Sequence, residues 1–228
     1  MAKELPVNQI ICGDCLEVMK DWPDGCADLS IITDPVWPDC NTELIGADIA
    51  YDLWQWFLPL MPKNTRRLGV HLGCNSNPEF LSNTTRYLEF FRVAILEYTR
   101  PHYLGRLMYN FDVAYLYGEP PKSKINQHVI PGLCKDTSSN GKQSEHPCPR
   151  KIYHALWLVK WWTNLDDIVI DPFCGSGTTC IAAKKLGRRY IGIDISEEYC
   201  QIARERLKSV DTGVPVKEAR AGQQALFK

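Results

Sequence analysis

Short apolar runs recur along the chain, each bounded by Gly, Pro, Asn or Asp, and their lengths set the predicted architecture. Asn8–Cys12, Ala27–Thr33, Arg67–Leu72, Arg92–Glu97, Phe111–Tyr117, Asp167–Asp171 and Arg189–Asp194 read as strands. Between them lie helical stretches. Cys15–Lys20 is a stub, and Ile49–Met61 holds a helical pattern until Pro59, with Leu53, Trp56 and Leu60 spaced to pack on a core. Ile152–Thr163 is an apolar helix, Cys180–Leu186 is a helix stopped by Gly187, and the last helix runs from Ser196 to about Val210. Strands interleaved with helices predict an α/β fold, a doubly wound, seven-stranded, mostly parallel sheet. No internal repeat breaks the chain, so residues 1–228 are expected to form a single domain.

One junction stands out. The strand ending at Asp171 runs into Pro172, Phe173, Cys174, Gly175, Ser176, Gly177, Thr178 and Thr179, and then into a helix. A strand, a tight glycine loop and a helix N-terminus form a cradle in which backbone N–H groups face a ligand. Gly175 and Gly177 are expected to take positive φ and to let the backbone approach that ligand. The next strand ends in Asp194, an acid placed to accept hydrogen bonds from ribose hydroxyls. An adenosine-type cofactor is therefore expected. A nicotinamide fingerprint needs a third glycine where this chain has Cys180, and a phosphate-binding loop needs Gly-Lys-Ser/Thr where it has Gly177-Thr178-Thr179.

Other polar positions sit where strands end. Asp14 and Cys15 follow the first strand, where Asp14 is a second acid within reach of the cofactor's adenine. Asp34, Pro35, Val36 and Trp37 follow the second. His71 alternates with apolar positions and reads as a satisfied core histidine. Tyr98–Arg106 reads as a loop in which Arg100, His102, Tyr103 and Arg106 interleave charge with rings, a composition suited to phosphate contact and base stacking. Glu119 to Arg150 lacks an apolar period, is rich in Pro, Gly, Ser and Asn, and carries Lys122 and Lys124 in a locally basic setting.

Composition narrows the class. Hydrophobic residues make up 45% and charged residues 23% of the chain, as in a globular protein with a core. No apolar run is long enough to cross a membrane and the N-terminus lacks a signal core, so no membrane association is expected. The 10 cysteines are expected as reduced thiols. Cys12 and Cys15 lack a second pair nearby, and Cys134, His146 and Cys148 form only a loose cluster, so no metal is expected. The net charge of −1 leaves nucleic-acid binding to local basic patches rather than to the whole surface.

The order Gly13-Asp14-Cys15-Leu16-Glu17, then Asp28-Leu29-Ser30-Ile31-Ile32-Thr33-Asp34-Pro35, then Asp171-Pro172-Phe173 with Gly175 and Gly177, resembles the beta group of amino DNA methyltransferases. There the catalytic Asp-Pro-Pro-Tyr/Trp segment precedes the S-adenosylmethionine loop. The resemblance implies a Rossmann-like methyltransferase fold with circularly permuted motif order. It implies S-adenosylmethionine as cofactor and DNA as partner. It also implies a cytoplasmic, nucleoid-associated enzyme of a prokaryote or phage, from a restriction-modification system or an orphan. His146-Pro147-Cys148-Pro149-Arg150-Lys151 resembles the family's His-Pro-Thr-x-Lys-Pro element, so Arg150 stands where a cation meets the cofactor's carboxylate. Residues 119–150 occupy the place of the target-recognition insert, shortened here, which points to help from a second subunit in a homodimer.

Within the resemblance, Asp34 and the Pro35 carbonyl hold the protons of an exocyclic amine and Trp37 stacks on the base. Val36 replaces the family's second proline, which restores an N–H and relaxes φ. Phe111-Asp112 likewise replaces a usual His-Glu pair. An acid at 34 favours N6 of adenine. N4 of cytosine or an RNA amine is the alternative acceptor. A catalytically silent module that binds S-adenosylmethionine or nucleic acid is the alternative of another class.

Overall fold

The computed structural model describes residues 4–23, 28–37, 45–74, 76–122, 129–135 and 151–216. Lys124 and the whole stretch 136–150, with His146, Cys148 and Arg150, lie outside the described residues. The elements are β1 (Gln9–Cys12), α1 (Cys15–Met19), β2 (Leu29–Thr33), α2 (Ala50–Phe57), β3 (Thr65–Gly73), β4 (Phe90–Leu104), β5 (Leu107–Gly118), β6 (Leu133–Cys134), α3 (Ile152–Trp162), β7 (Ile168–Asp171), α4 (Thr178–Lys185), β8 (Arg189–Asp194) and α5 (Glu197–Thr212).

One sheet takes all of these strands, in the order β1-β8-β7-β2-β3-β5-β4-β6. β1, β8, β7, β2 and β3 run parallel, and β5 enters antiparallel between β3 and β4. The seven predicted strands are all present. The eighth is the two-residue β6, which lies parallel to β4 at the edge, and two residues are too few to produce a readable period. Parallel strands must be covered on both faces, and β2 and β7 are buried along their whole length. Trp157, Leu158 and Trp162 of α3 pack on one face together with Ile181 of α4 and Leu207 of α5. Met19 of α1 and Trp54 and Phe57 of α2 pack on the other.

Two predicted elements differ. The core stripe of α2 is Ala50, Trp54 and Phe57, continued by Leu58, and not the predicted Leu53–Trp56–Leu60 face. Apolar side chains cover more than half of this helix's circumference, with Asp52 and Gln55 on the remainder, so spacing alone permits either stripe. The buried one puts the bulkier rings together, with Trp54 5.3 Å from both Phe57 and Phe80 between ring centroids. Residues 98–106 form the outer part of a β4–β5 hairpin arm and not a loop. The pairing of Glu97 with Phe111 jumps to His102 with Tyr109. Pro101 sits inside that bulge, where a residue without an N–H does the least harm to a ladder. Gly105, at φ +57°, closes the tip.

At the end of the sheet away from the glycine loop, Arg67 Nη1 donates to Asp167 Oδ2 at 2.8 Å, and both side chains are 2% exposed. Ser30 Oγ, at 2.6 Å, and the Asn164 N–H, at 2.8 Å, donate to the same oxygen. Asp167 thereby joins β2, β3 and the turn before β7. Removing one partner of a buried ion pair strands the other charge. Asp167→Ala is expected to lower unfolding stability by about 3–5 kcal/mol, read from urea titration; a loss below about 1 kcal/mol would show that the pair behaves as a surface one.

Candidate functional site

The glycine loop forms as predicted. Gly175 takes φ +48° and Gly177 +78°. The two differ in their reason for being glycine. Gly175 lines a cavity, whereas a Cβ at Gly177 would lie 2.8 Å from Ala203 Cβ on α5. Gly177 therefore serves helix packing, and Gly175 and not Gly177 is among the residues lining the cavity. Gly177 is the N-cap of α4, and the first N–H groups of that helix follow it.

Asp194, the last residue of β8, reaches into the loop. Its Oδ2 accepts the Gly175 N–H at 2.8 Å, and its Oδ1 accepts the Ser196 N–H at 2.9 Å. Arg206 of α5 holds the loop from behind. Its Nη1 donates to Ser176 Oγ at 2.8 Å and to Thr178 Oγ1 at 3.3 Å. Sequence reading missed Arg206, because one arginine on an amphipathic helix carries no signal of its partner.

The cavity has a volume of about 600 Å³, within the range of small-molecule sites. Asp14, Cys15, Asp171, Phe173, Gly175, Ser176, Thr178 and Asp194 line one part of it, and Asp34, Pro35, Val36 and Trp37 line another. Residues predicted from three separate stretches thus share one cavity. Leu53 and Trp56, the α2 face that does not enter the core, also line it with Ile45 and Ile49.

The polar groups are already organised. Asp14 caps α1, with Oδ1 accepting the Leu16 N–H at 2.9 Å. Burial pushes the Cys15 thiol up to about 12, so it is neutral. Trp37 Nε1 donates to Asp34 Oδ1 at 2.9 Å, which turns the indole edge toward the acid. Asp171 is buried and its carboxyl is pushed up to about 7, chiefly by desolvation. Hydrogen bonds from Thr33 Oγ1, at 2.8 Å, and the Phe173 N–H, at 3.3 Å, pull the other way.

His71, expected as a core histidine, is buried and hydrogen-bonded through Nε2. Its Nε2 lies 3.0 Å from Asp112 Oδ2, and the residue also lines the cavity. The Tyr98 hydroxyl donates to the same Asp112 oxygen. Arg100, His102, Tyr103 and Arg106 lie on the exposed hairpin arm and Lys122 follows β5, all outside the cavity wall. Tyr103, Leu107 and Met108 at the arm's tip are 70%, 57% and 61% exposed. Among the described residues no group of side chains could hold a metal ion, and no helix is long and apolar enough to cross a membrane.

A family model described as DNA methylase, of the N6/N4 class, matches residues 52–205. The chain belongs to the N6/N4 DNA methylase family. YubD of Escherichia coli (strain K12) is 29% identical over 217 residues, covering 90% of this chain and 92% of that protein. The orphan methyltransferase M.BamHII of Bacillus amyloliquefaciens is 60% identical over 67 residues, 28% of this chain and 24% of its own length. In the solved structure of the M1.HpyAVI-SAM complex the protein is 26% identical with a TM-score of 0.64, over 87% of this chain and 98% of that one. The fold of the PvuII DNA methyltransferase, which is cytosine-N4-specific, is similar at a TM-score of 0.66 and 16% identity, over 93% of this chain and 89% of that one. The glycine-loop strand β7 lies beside β2, at the point where the progression of the chain across the sheet reverses.

Asp171 yields a pH prediction. Its folded-state value is raised, so the stability it contributes is full below about pH 4, declines as pH rises toward its folded value of about 7, and is flat above. Between those limits the wild type is expected to lose stability relative to Asp171→Asn on the order of a few kcal/mol, measured as paired urea midpoints. A difference that does not change with pH would show the carboxylate ionised throughout.

Proposed function

We propose that this chain transfers the methyl group of S-adenosylmethionine to the exocyclic N6 amine of adenine in DNA. The observation that carries the reading is one cavity walled on one side by the glycine loop with Asp194 and on the other by Asp34-Pro35-Val36-Trp37. Family membership supports DNA methyl transfer. The choice of adenine rests on the acid at 34.

The residues present fit an adenosine-type cofactor. Gly175 exposes backbone at the loop and the α4 N-terminus follows; Asp194 pairs with Cys12 at the end of β1, and Asp14 lies two residues beyond Cys12. Each carboxylate oxygen of Asp194 accepts one backbone N–H, which fixes the carboxylate in the cavity wall. Phe173, Ile195 and Leu16 supply apolar wall for a ring. When bound, S-adenosylmethionine supplies an electrophilic sulfonium methyl group.

The amine needs help because its lone pair is delocalised into the purine ring. Asp34 and the Pro35 carbonyl accept its two N–H bonds, which draws the nitrogen toward tetrahedral geometry and frees the lone pair. Trp37 anchors Asp34 Oδ1 through its indole N–H, so the acid meets the substrate in a fixed orientation. Positioning and electrostatics of this sort supply most of the rate in a direct displacement. Val36 lines the cavity where a second proline stands in the family resemblance, and the Trp37 contact offsets the rigidity that substitution removes. A base in duplex DNA must leave its stack to enter such a cavity. The hairpin arm, with Arg100, His102, Tyr103 and Arg106, gives basic and aromatic contact beside it, and Lys122 adds a further cation.

Asp34→Ala is expected to abolish transfer of labelled methyl to DNA while leaving cofactor affinity within a few-fold, read by calorimetry. Asp194→Ala is expected to weaken cofactor binding first, since it releases the Gly175 N–H. The reverse pattern would overturn the division of roles. Combined Arg100→Ala and Arg106→Ala should weaken DNA binding and reduce the slope of log affinity against log salt by about 2, without changing cofactor affinity; an unchanged slope would remove the arm from the DNA contact.

A further inference from the structure

The cavity has a third polar wall that the methyl-transfer reading does not use. Thr33 at the end of β2 pairs with Val70 of β3, so Asp34 and His71 follow side by side at the carboxyl ends of neighbouring parallel strands. Ile32 and Gly69 share the sheet face covered by Trp162. Side chains alternate along a strand, so His71, two residues after Gly69, points to that same face. Its ring there lies 5.9 Å from that of His154 on α3.

The side chain of His71 is 6% exposed and that of Asp112 is 5% exposed. Asp112 accepts from His71 Nε2 at 3.0 Å and from the Tyr98 hydroxyl. His71 Nδ1 makes no hydrogen bond among the described residues, and the residue lines the cavity. A carboxylate on Nε2 fixes that nitrogen as the N–H and leaves Nδ1 as a lone-pair acceptor. An acceptor in the cavity wall, adjacent to Asp34 and backed by a buried acid, has the arrangement of a general base and its orienting partner.

We propose that His71 accepts the proton the amine must lose on methylation, with Asp112 as its positioning residue. The inference rests on the methyl-transfer reading. In the step, the amine nitrogen's lone pair forms the bond to the methyl carbon while the carbon–sulfur bond breaks and its pair remains on sulfur. The surplus proton is the one held by Asp34, and it passes through that carboxylate to Nδ1 of His71. The imidazolium so formed faces the Asp112 carboxylate, and the proton leaves to water once the product departs.

The groups around His71 suit this role. Asp112 of β5 and Tyr98 of β4 hold it, Asp34 follows β2 in the same cavity, and Cys74 follows β3 near Asp112. Lys151, at the start of α3, sits over the Tyr98 ring at 5.0 Å. His154 is no rival. Its Nε2 donates to the Glu97 carbonyl at 2.9 Å, and burial, reinforced by His71, pulls it down to about 4, so it stays neutral.

The test uses the full chain, tritiated S-adenosylmethionine and unmethylated plasmid DNA, with single-turnover transfer followed between about pH 5 and 8. The wild-type rate is expected to rise with pH, because a protonated Nδ1 cannot accept. His71→Gln should slow transfer by about 100-fold and abolish that rise, with cofactor and DNA affinities within a few-fold. Asp112→Asn should move the rise to lower pH, a shift that a merely structural role would not produce. In the cofactor-free chain, the NMR titration of the His71 ring proton should match the wild-type kinetic midpoint and shift with Asp112→Asn. A wild-type rate in His71→Gln, or a His71 titration that misses the kinetic midpoint, overturns the inference. Absence of label on DNA from the wild type would instead overturn the methyl-transfer reading beneath it.

Discussion

One carboxylate holds the site together. Asp194 closes β8, accepts the Gly175 N–H of the loop after β7 and the Ser196 N–H that leads into α5, and through its own carbonyl accepts the Gly13 N–H after β1. Three neighbouring strand ends are therefore tied at a single residue. Glycines permit many conformations, so the loop between them needs such restraints, and the Cys174 N–H adds one by donating to the Ile193 carbonyl at 2.9 Å. Arg206 completes the restraint from the helix behind. A cofactor that uses Asp194 thus meets a loop already fixed, and little binding energy is lost to ordering it.

The sheet distributes work along its carboxyl edge. β8 and β7 carry the cofactor wall, β2 carries Asp34, and β3 carries His71. The entry of antiparallel β5 next to β3 is what brings Asp112 to His71, because Leu72 pairs with Val113 and Gly73 with Asp112 near that edge. Asp112 lies mid-strand in β5, opposite the last residue of β3, so the hairpin arm continues past the sheet edge on which it sits. Fold and chemistry are linked at this place. The chain direction that ends the parallel run also supplies the buried acid.

Much of this was legible in the sequence because it depends on local pattern. The seven main strands, the stop at Gly187, the Ser196 cap and the positive φ of Gly175 and Gly177 all follow from runs of neighbouring residues. What was not legible depends on partners far along the chain. The apolar helix α2 offered two stripes, and only the rings of Phe57 and Phe80 around Trp54 select one. Leu53 and Trp56 consequently face the cavity, a placement no periodicity gives. Residues 98–106 lack a strand period because Pro101 and a bulge interrupt it, yet they pair through Tyr103–Met108 and Leu104–Leu107. The local pattern around His71 is that of any core histidine, because its partner Asp112 lies 41 residues away. Arg206 is 30 residues from the Ser176 that it holds.

The central claim is that one cavity joins a cofactor cradle to an acid that presents an exocyclic amine for methylation. The most direct measurement is transfer of tritiated methyl from S-adenosylmethionine to unmodified DNA, followed by nucleoside analysis of the product. The account predicts label in N6-methyladenine. Label in N4-methylcytosine would contradict the choice of base, and S-adenosylmethionine bound without any label on nucleic acid would contradict the claim itself.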